Sequence, residues 1–249
     1  MTPSTPSPSG PPSPEGRPAV PDCWPPAPGI EAAEGPRELP DPPAAGPFSA
    51  EAVPLFPLAD VWLLPGAMAP LNIFEPRYRQ MIEDSLDRSG RLVIGTVRRG
   101  HEFEMPGKPP VYPVAGLGEI VKHERRSDGT FIILLLGIGR VELEEVPSDR
   151  LYRRVRVRPL AEIPIPPERE AGYRRELAQA VLSRSEQFLN LPEDLPVAAL
   201  ADLLSLRLPL PHSRRQRLFA EHDIESRIHE LLAEHRRRPP DGGGRGQEA

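Results

Sequence analysis

The residues of this sequence that are able to do chemistry are few, and their spacing does not match a metal site. The nearest approach is His101-Glu102 with Glu104, but the six histidines show no HExxH or comparable spacing. We interpret this run as a polar loop. His222, His229 and His235 follow one another at intervals that favour a solvated helix face.

A catalytic nucleophile and a phosphate-binding loop are not indicated either. Ser183, Ser185 and Ser205 have no candidate base nearby in the sequence. A P-loop requires G-x-x-x-x-G-K-[ST], whereas Gly107-Lys108 has Glu102 at the first glycine position and is followed by proline. The sequence therefore predicts no catalytic residue, no cofactor and no metal, and hence a protein that is not an enzyme.

Arginines form the densest group of charges and raise RNA binding as an alternative function, because a basic patch attracts phosphates. Carboxylates lie beside them, however, and no aromatic residue interleaves to stack on bases. We therefore favour cross-strand ion pairs on a solvated face. The arginines are Arg140, Arg150, Arg153, Arg154, Arg156 and Arg158, and the carboxylates are Glu142, Glu144 and Glu145.

Composition divides the chain of 249 residues into a folded part and two tails. Many of the 36 prolines lie in residues 1–50, which are rich in Pro, Ser, Gly and Ala and predict a disordered arm. Residues 237–249 predict a disordered tail. The folded part is predicted to divide into a β-subdomain (51–165) and a helical bundle (166–236).

Charge and hydropathy exclude several classes of protein. The net charge of −5 indicates no dedicated polyanion partner. Cys23 is the one cysteine, so no internal disulfide is expected. No apolar run approaches the ~20 residues of a membrane helix, and the amino terminus lacks the pattern of a signal peptide. A cytoplasmic protein with no membrane contact is the expectation.

Residue patterns in the β-subdomain predict short strands around one helix. Residues 75–88 have apolar residues at helical spacing after Pro76. Residues 127–130 predict a hairpin turn, and the apolar run FIILLLG after it predicts a strand covered on both faces. Pro54 and Pro57 require residues 53–58 to lie at a sheet edge or to break at each proline.

The second half predicts helices. A long helix has an apolar face that runs from Tyr173 to Phe188. Ser213 and Gln216 have the spacing of a capping box, and Asp223 is placed to cap the last helix.

The stretch PLFPLADVWLLPGAMAPLNIFEPRYRQMI closely resembles the start of the amino-terminal substrate-binding domain of Lon proteases. The likeness extends over residues 53–235, including the hairpin GLGEIVKHERRSDGTFIILLLGIGRVEL and the final helical segment. The motif residues, which we interpret as structural, are Pro65, Gly66, Phe74, Glu75, Pro76, Arg77 and Tyr78. The resemblance implies an α+β fold, a PUA-like β-barrel followed by a helical bundle.

The resemblance also implies a function. The corresponding part of Lon helps to recognise unfolded or tagged proteins, so we expect a non-catalytic domain that binds unfolded or partner polypeptides, without ATPase and peptidase modules. A separate protease or ATPase is a further candidate partner, for which the chain would act as an adaptor. The candidate polypeptide-binding residues are Trp62, Leu63, Leu64, Met68 and Leu71, although we favour core packing against the helix at 78–86 as the role of most of these side chains.

Overall fold

The computed structural model describes residues 48–105, 107–184 and 191–238. The described strands are β1 (Val53–Leu58), β2 (Met68–Ile73), β3 (Arg91–Thr96), β4 (Val114–Arg125), β5 (Phe131–Val146) and β6 (Arg153–Pro159). The described helices are α1 (Pro76–Leu86), α2 (Pro167–Leu182), α3 (Val197–Arg207), α4 (His212–Ala220) and α5 (Ile224–Arg237), with a short 3₁₀ helix at Glu102–Glu104. The predicted arm at 1–47 and the tail at 239–249 lie outside the described residues.

One sheet contains the six described strands in the order β2-β5-β4-β3-β1-β6, and β6 also pairs with β5. Strand β5 makes this closure possible because it is 16 residues long. Its first half pairs with β2 and its second half with β6, while β4 follows its other edge. The β1–β3 pair is parallel and the other ladders are antiparallel. The architecture is α+β, as the sequence predicts.

The prolines of β1 do not place it at a sheet edge, so that prediction is wrong. The strand lies between β3 and β6, but the two ladders are staggered along it. Pairing with β6 covers residues 53–55, and pairing with β3 covers residues 55–58. Pro54 therefore lies beside β6 only, and Pro57 beside β3 only. Each proline has one free side along the strand, where a missing N–H breaks no ladder bond.

The predicted helix over residues 75–88 is confirmed as α1. Pro76 is its first residue, a position where the missing N–H costs no intrahelical bond. Its buried apolar face consists of Tyr78, Met81 and Ile82 and packs against the sheet in the same hydrophobic cluster as Ile73 and Leu135.

The predicted hairpin is also confirmed, by the turn between β4 and β5. Gly129 has a positive φ of 80° there, and Asp128 accepts hydrogen bonds from the backbone N–H and the hydroxyl of Thr130. These bonds lower the pKa of Asp128. The run FIILLLG is not covered on both faces, however. Its residues alternate between buried and half-buried, because one face packs in the core and the other lies under no further layer of the described chain.

The described helices form a second hydrophobic core. Helix α2 ends at Leu182, so it is shorter than predicted, and Phe188 lies outside the described residues. No side chain caps α4, so the predicted capping box is absent, and Gln216 makes other bonds instead. Asp223 caps α5 as predicted, because its carboxylate accepts from the N–H groups of Glu225 and Ser226. No described helix combines the length and the apolar character that spanning a membrane requires.

Four charged side chains join the helices to the sheet, three of them buried and the fourth, Glu162, partly exposed. Arg140 of β5 donates to Glu162, in the segment before α2, at 3.0 Å and to Asp202 of α3 at 2.6 Å. Arg227 of α5 lies 2.8 Å from Glu162 and 3.8 Å from Asp202. Backbone bonds between Ile163 and residues 222 and 224 close the same junction. We call this group of four side chains the junction cluster.

We expect Arg140→Met to lower the free energy of unfolding by about 3–5 kcal/mol, because Glu162 and Asp202 are left with one buried counter-charge. Urea unfolding followed by circular dichroism measures the change. The matched control is Arg156→Met, since that arginine is half-exposed and lies 3.7 Å from Glu144. Its removal should change stability by less than about 1 kcal/mol. Equal effects of the two substitutions contradict a structural role for the junction cluster.

Candidate functional site

The loop between β1 and β2 carries the first three candidate polypeptide-binding residues, and the structure places two of them in the interior. Leu63 is 2% exposed and Leu64 is 4% exposed. Both lie directly on the sheet: a Cβ at Gly116 would meet the Leu63 carbonyl at 2.3 Å, and one at Gly137 would meet the Leu64 carbonyl at 2.1 Å. These two leucines are core residues, because glycines on β4 and β5 let the loop approach so closely.

Trp62 is held by the helical bundle. Its indole N–H donates to Gln216 at 2.7 Å, and its ring meets the ring of His212 edge-on at 5.0 Å between centroids. Arg215 lies over the indole at 5.3 Å. Gln216 also donates to the carbonyl of Val114 in β4. Trp62 therefore fastens the loop to α4 and to the sheet.

Met68 is the candidate residue that the structure leaves at the surface. It begins an outward-facing row on β2 formed by Met68, Pro70 and Asn72, and Phe74 extends this row past the end of the strand. Met68 is 50% exposed and Phe74 is 65% exposed. Leu71 points to the other side and packs partly buried against the core. Phe74 was predicted as a structural motif residue, and its exposure is visible only in the fold.

The outward-facing residues of β5 lie next to this row on the neighbouring strand. Register pairs Met68 with Leu136, Pro70 with Leu134 and Asn72 with Ile132. The three β5 side chains are half-buried, and Val121 of β4 is exposed beside them at a bulge in the ladder. The result is a mainly apolar surface that includes Asn72 and is bordered on β4 by Glu119, Lys122 and Glu124, which pair with these β5 residues. We call it the β2–β5 face, formed by Met68, Pro70, Phe74, Val121, Ile132, Leu134 and Leu136.

Strand β2 also has an open edge, since β5 is its one partner among the described strands. The carbonyl of Ala67 accepts from the N–H of Gly137. Residues 69, 71 and 73 therefore direct their backbone groups to β5, and Met68, Pro70 and Asn72 direct theirs to the open side. Pro70 lies where a missing N–H breaks no ladder bond. This edge keeps free carbonyls and the N–H groups of Met68 and Asn72.

The motif residues after Phe74 hold a neighbouring loop. Arg77 pairs with Glu75 at 2.8 Å and donates to the carbonyls of Met105 and Gly107 at 2.7 and 3.1 Å. Its guanidinium also lies 4.5 Å from the ring centre of Tyr78. The fixed helix start at Pro76 thus positions an arginine that fastens the loop at 105–109.

This loop forms one wall of a cleft of about 830 Å³. The other walls come from β1, the start of α1 and the segment joining β5 to β6. Arg153 stabilises the cleft by donating to both oxygens of Glu145, at 2.8 and 2.6 Å, and to the carbonyl of Pro109 at 2.5 Å. The hydrogen bonds from Arg153 lower the pKa of Glu145.

Two tyrosines line the same cleft and stay neutral at physiological pH. Burial raises the pKa of Tyr78. Burial, together with the hydrogen bond that its hydroxyl donates to Asp84 at 2.8 Å, raises the pKa of Tyr152 to about 12.

Three of the six arginines that suggested RNA binding pair with carboxylates across the β5–β6 ladder, whereas Arg150 lies near Asp84 and Asp149 and Arg154 donates to the carbonyl of Ala52. Arg158 pairs with Glu142, Arg156 with Glu144 and Arg153 with Glu145. Arg140 points into the junction cluster. The carboxylate of Glu104 accepts a hydrogen bond from Nδ1 of His101 at 2.8 Å. Within the described ranges no group of three or more His, Cys, Asp or Glu side chains is arranged to hold a metal ion.

We expect Arg77→Met to speed amide hydrogen exchange in residues 101–109, because the bonds to the carbonyls of Met105 and Gly107 that hold this loop are lost. Exchange followed by mass spectrometry gives the measurement. Arg79→Met is the matched control, since that arginine makes a single long bond of 3.4 Å to the carbonyl of Asp128. Unchanged exchange in the loop of the Arg77 variant contradicts the fastening role.

The raised pKa of Tyr152 predicts a loss of stability at high pH. An unfolded tyrosine titrates near pH 10, so the stability from the protonated hydroxyl is complete below that pH. It declines as pH rises towards the folded value of about 12. Urea unfolding between pH 9 and pH 11.5 should show a weaker pH dependence for Tyr152→Phe than for the wild type. Identical slopes contradict the assignment, and Tyr112→Phe serves as the control.

Comparison with known proteins gives the family of this chain. The family model for the substrate-binding domain of ATP-dependent protease La (LON) matches residues 52–234. Lon protease 2 of Sorangium cellulosum is 26% identical over 195 residues, which cover 74% of this chain and 24% of that protein. Lon protease 2 of Herpetosiphon aurantiacus is 27% identical over 192 residues, covering 72% and 23%. The chain thus spans about a quarter of the length of these curated relatives.

Solved structures show the same fold. The N-terminal domain of Mycobacterium avium complex Lon protease is similar with a TM-score of 0.57 at 19% identity, covering 74% of this chain and 97% of that one. A Lon N-terminal domain protein from Xanthomonas campestris gives 0.53 at 23% identity, covering 74% and 98%. No ATPase or protease domain is found by these comparisons. From the family model and the shared fold together, this chain belongs to the Lon substrate-binding domain family.

Proposed function

We propose that this protein is a non-catalytic domain that binds unfolded or partner polypeptides on the β2–β5 face. The observation that carries the proposal is the exposed row of Met68, Pro70, Asn72 and Phe74 beside the open edge of β2. An exposed apolar surface next to unpaired backbone groups is suited to a polypeptide in extended conformation.

Two kinds of contact are available to such a polypeptide. Its backbone can pair with the carbonyls and with the N–H groups of Met68 and Asn72 on the open edge. Its apolar side chains can pack beside the outward row of β2, next to Met68, Pro70 and Phe74. Folded proteins keep their backbone groups paired, so this mode selects chains that are unfolded or locally extended.

The affinity expected from this surface is modest. Burying a few hundred Å² of apolar area at about 25 cal/mol per Å² provides several kcal/mol before the entropic costs of association. The dissociation constant is therefore expected to lie in the micromolar range or weaker, since 1 μM already requires a net free energy of about 8 kcal/mol. Weak binding suits the release of a polypeptide to a second protein, and we propose that a separate protease or ATPase is such a recipient, with this chain as the adaptor.

RNA binding is not favoured as the function. Three of the four arginines on β6 are matched by a carboxylate on β5, and the fourth, Arg154, donates to the carbonyl of Ala52, so the ladder presents little net charge to a phosphate backbone. Apolar contacts also make the proposed binding insensitive to salt, in contrast to a protein that neutralises several phosphates.

The ring formed by β5, β4, β3, β1 and β6 supports the PUA-like barrel that the sequence predicts, because the β5–β6 ladder returns the sheet to its own strand. We include in the proposal the division at residue 165 into this β-subdomain and the helical bundle. The separate hydrophobic cores of the sheet and the helices support it.

The double substitution Met68→Ser with Phe74→Ser should weaken binding of carboxymethylated, permanently unfolded lactalbumin about fivefold to thirtyfold, because two exposed apolar side chains lose their contacts. Isothermal titration calorimetry at two salt concentrations gives the affinity and its salt dependence. Stability should change by less than about 1 kcal/mol, since both side chains are exposed.

Leu206→Ser is the matched control, because this leucine is 49% exposed but lies on α3 of the helical bundle. A second variant, Asn72→Pro, deletes an N–H on the open edge while leaving the β5 ladder intact, and should also weaken binding. Affinity unchanged in both β2 variants, or lowered equally by Leu206→Ser, would refute the β2–β5 face as the binding site.

A further inference from the structure

The cleft described above begins where the β2–β5 face ends. Ile73 is the last residue of β2, and Glu75 and Pro76 line the cleft. Consecutive Cα atoms are about 3.8 Å apart, so the end of the open edge and the mouth of the cleft are within about 8 Å along the chain. A polypeptide on β2 that continues past Phe74 therefore reaches the cleft.

The lining of the cleft has an excess of positive charge. It includes four cationic side chains and two carboxylates. The cations are those of Arg77, Lys108, Arg150 and Arg153, and the carboxylates are those of Glu75 and Glu145. A metal cation or a basic segment is disfavoured by this balance, whereas an anionic group is favoured.

The cations differ in their availability. Arg77 and Arg153 are engaged with carboxylates and with carbonyls of the loop that forms the wall. Arg150 is half-exposed and lies 3.6 and 3.8 Å from Asp84 and Asp149. Lys108 is exposed and forms no ion pair or hydrogen bond within the described part of the chain. The ammonium group of Lys108 is thus the cation most accessible to a ligand.

A buried hydroxyl gives a second and independent observation. Tyr78 lines the cleft and is 4% exposed, and its hydroxyl has no hydrogen-bond partner among the described residues. A buried polar group without a partner is destabilising and is uncommon in native proteins. Because burial raises the pKa of Tyr78, the hydroxyl keeps its proton and is a donor for an anionic acceptor.

The remaining walls are apolar. Leu55, Pro57, Val146, Pro147 and Leu151 contribute them. A volume of about 830 Å³ exceeds what a single small ion needs. The lining therefore suits a carboxylate carried by an amino-acid residue whose side chain packs on these walls.

We propose that the cleft binds a carboxylate group of the polypeptide that lies on the β2–β5 face, with Lys108 as its ion-pair partner and the Tyr78 hydroxyl as a hydrogen-bond donor. This inference rests on the proposed function. The carboxylate is the terminal one of the bound chain or belongs to an Asp or Glu side chain, and the experiment separates these two sources.

Three fluorescein-labelled peptides of the same apolar, extended sequence serve as probes in an anisotropy titration of the full chain. The first ends in a free carboxylate, the second in an amide, and the third in an amide with glutamate as its penultimate residue. We expect the neutral amide to bind about threefold to tenfold more weakly than the peptide whose carboxylate the cleft selects. Preference for the first peptide assigns the terminal carboxylate, and preference for the third assigns the side chain.

Variants of the cleft give the second arm. Lys108→Gln should abolish the advantage of the carboxylate peptide without changing the binding of the neutral amide. Arg126→Gln removes the same charge from the turn between β4 and β5 and should leave the advantage intact. Tyr78→Phe should lower affinity for the carboxylate peptide while thermal stability stays equal or rises, because the unpaired hydroxyl is gone. A merely structural role of Tyr78 predicts no change in peptide selectivity.

The outcomes distinguish this inference from the proposed function. Equal binding of all three peptides, unaffected by Lys108→Gln but weakened by the Met68/Phe74 double variant, overturns the carboxylate site and leaves the β2–β5 face standing. If no peptide binds, a titration with N-acetyl-leucine and its amide, followed by ligand-observed NMR, probes the cleft alone. Selective binding of the acid, lost in Lys108→Gln, supports the cleft and overturns the face; no selectivity overturns the cleft as well.

Discussion

The orientation of the helices on the sheet depends on the junction cluster, in which two arginines and Asp202 are buried and Glu162 is partly exposed. Arg140 comes from β5 and Arg227 from α5, and both lie on Glu162 and Asp202. The net stabilisation by buried ion pairs is small, because desolvation offsets most of the attraction. Any arrangement that separates the four charges, however, leaves a buried charge without compensation. The cluster therefore determines one relative position of sheet and helices more than it adds to overall stability.

That position is transmitted to the surface of β2 by a short series of contacts. With the bundle fixed, Gln216 of α4 reaches both the indole of Trp62 and the carbonyl of Val114. Trp62 in turn holds the loop in which Leu63 and Leu64 press onto Gly116 and Gly137. Strand β2 follows this loop directly. The apolar residues before β2 thus position the strand, and the residues on it form the surface.

Arginine side chains in this protein serve mainly to connect segments. Arg77 and Arg153 hold the carbonyls of one loop, and Arg156 and Arg158 of β6 pair across the ladder with carboxylates. Because these arginines form ion pairs and hydrogen bonds within the protein, they leave little positive charge available to bind a polyanion. The described surface instead keeps an apolar face with an open strand edge and, next to it, a cleft with an accessible lysine. Both lie along one path from β2 to the start of α1, which is the segment that most closely resembles the Lon family.

The sequence by itself determined the elements whose signals are local. Helix α1, the β4–β5 turn and the cap at Asp223 depend on residues close together in the chain, and each was predicted from them. The family was also recognisable, since the segment around Phe74 keeps its local order. Predictions failed where the outcome depends on distant partners. The prolines of β1 are tolerated through staggered ladders, and Gln216 bonds to Trp62 rather than capping its helix.

The candidate binding surface could be located only from the tertiary structure. Among the five candidate residues the sequence did not separate Met68 from Leu63 and Leu64, because all are apolar residues in the same loop-like stretch. Burial of the leucines results from glycines on strands far along the chain, and exposure of Met68 and Phe74 results from the position of β2 beside a single partner strand. Hydrophobicity is a property of a residue, but exposure is a property of what packs against it. The residue pattern of a strand does not predict which of its faces will be covered by the rest of the protein.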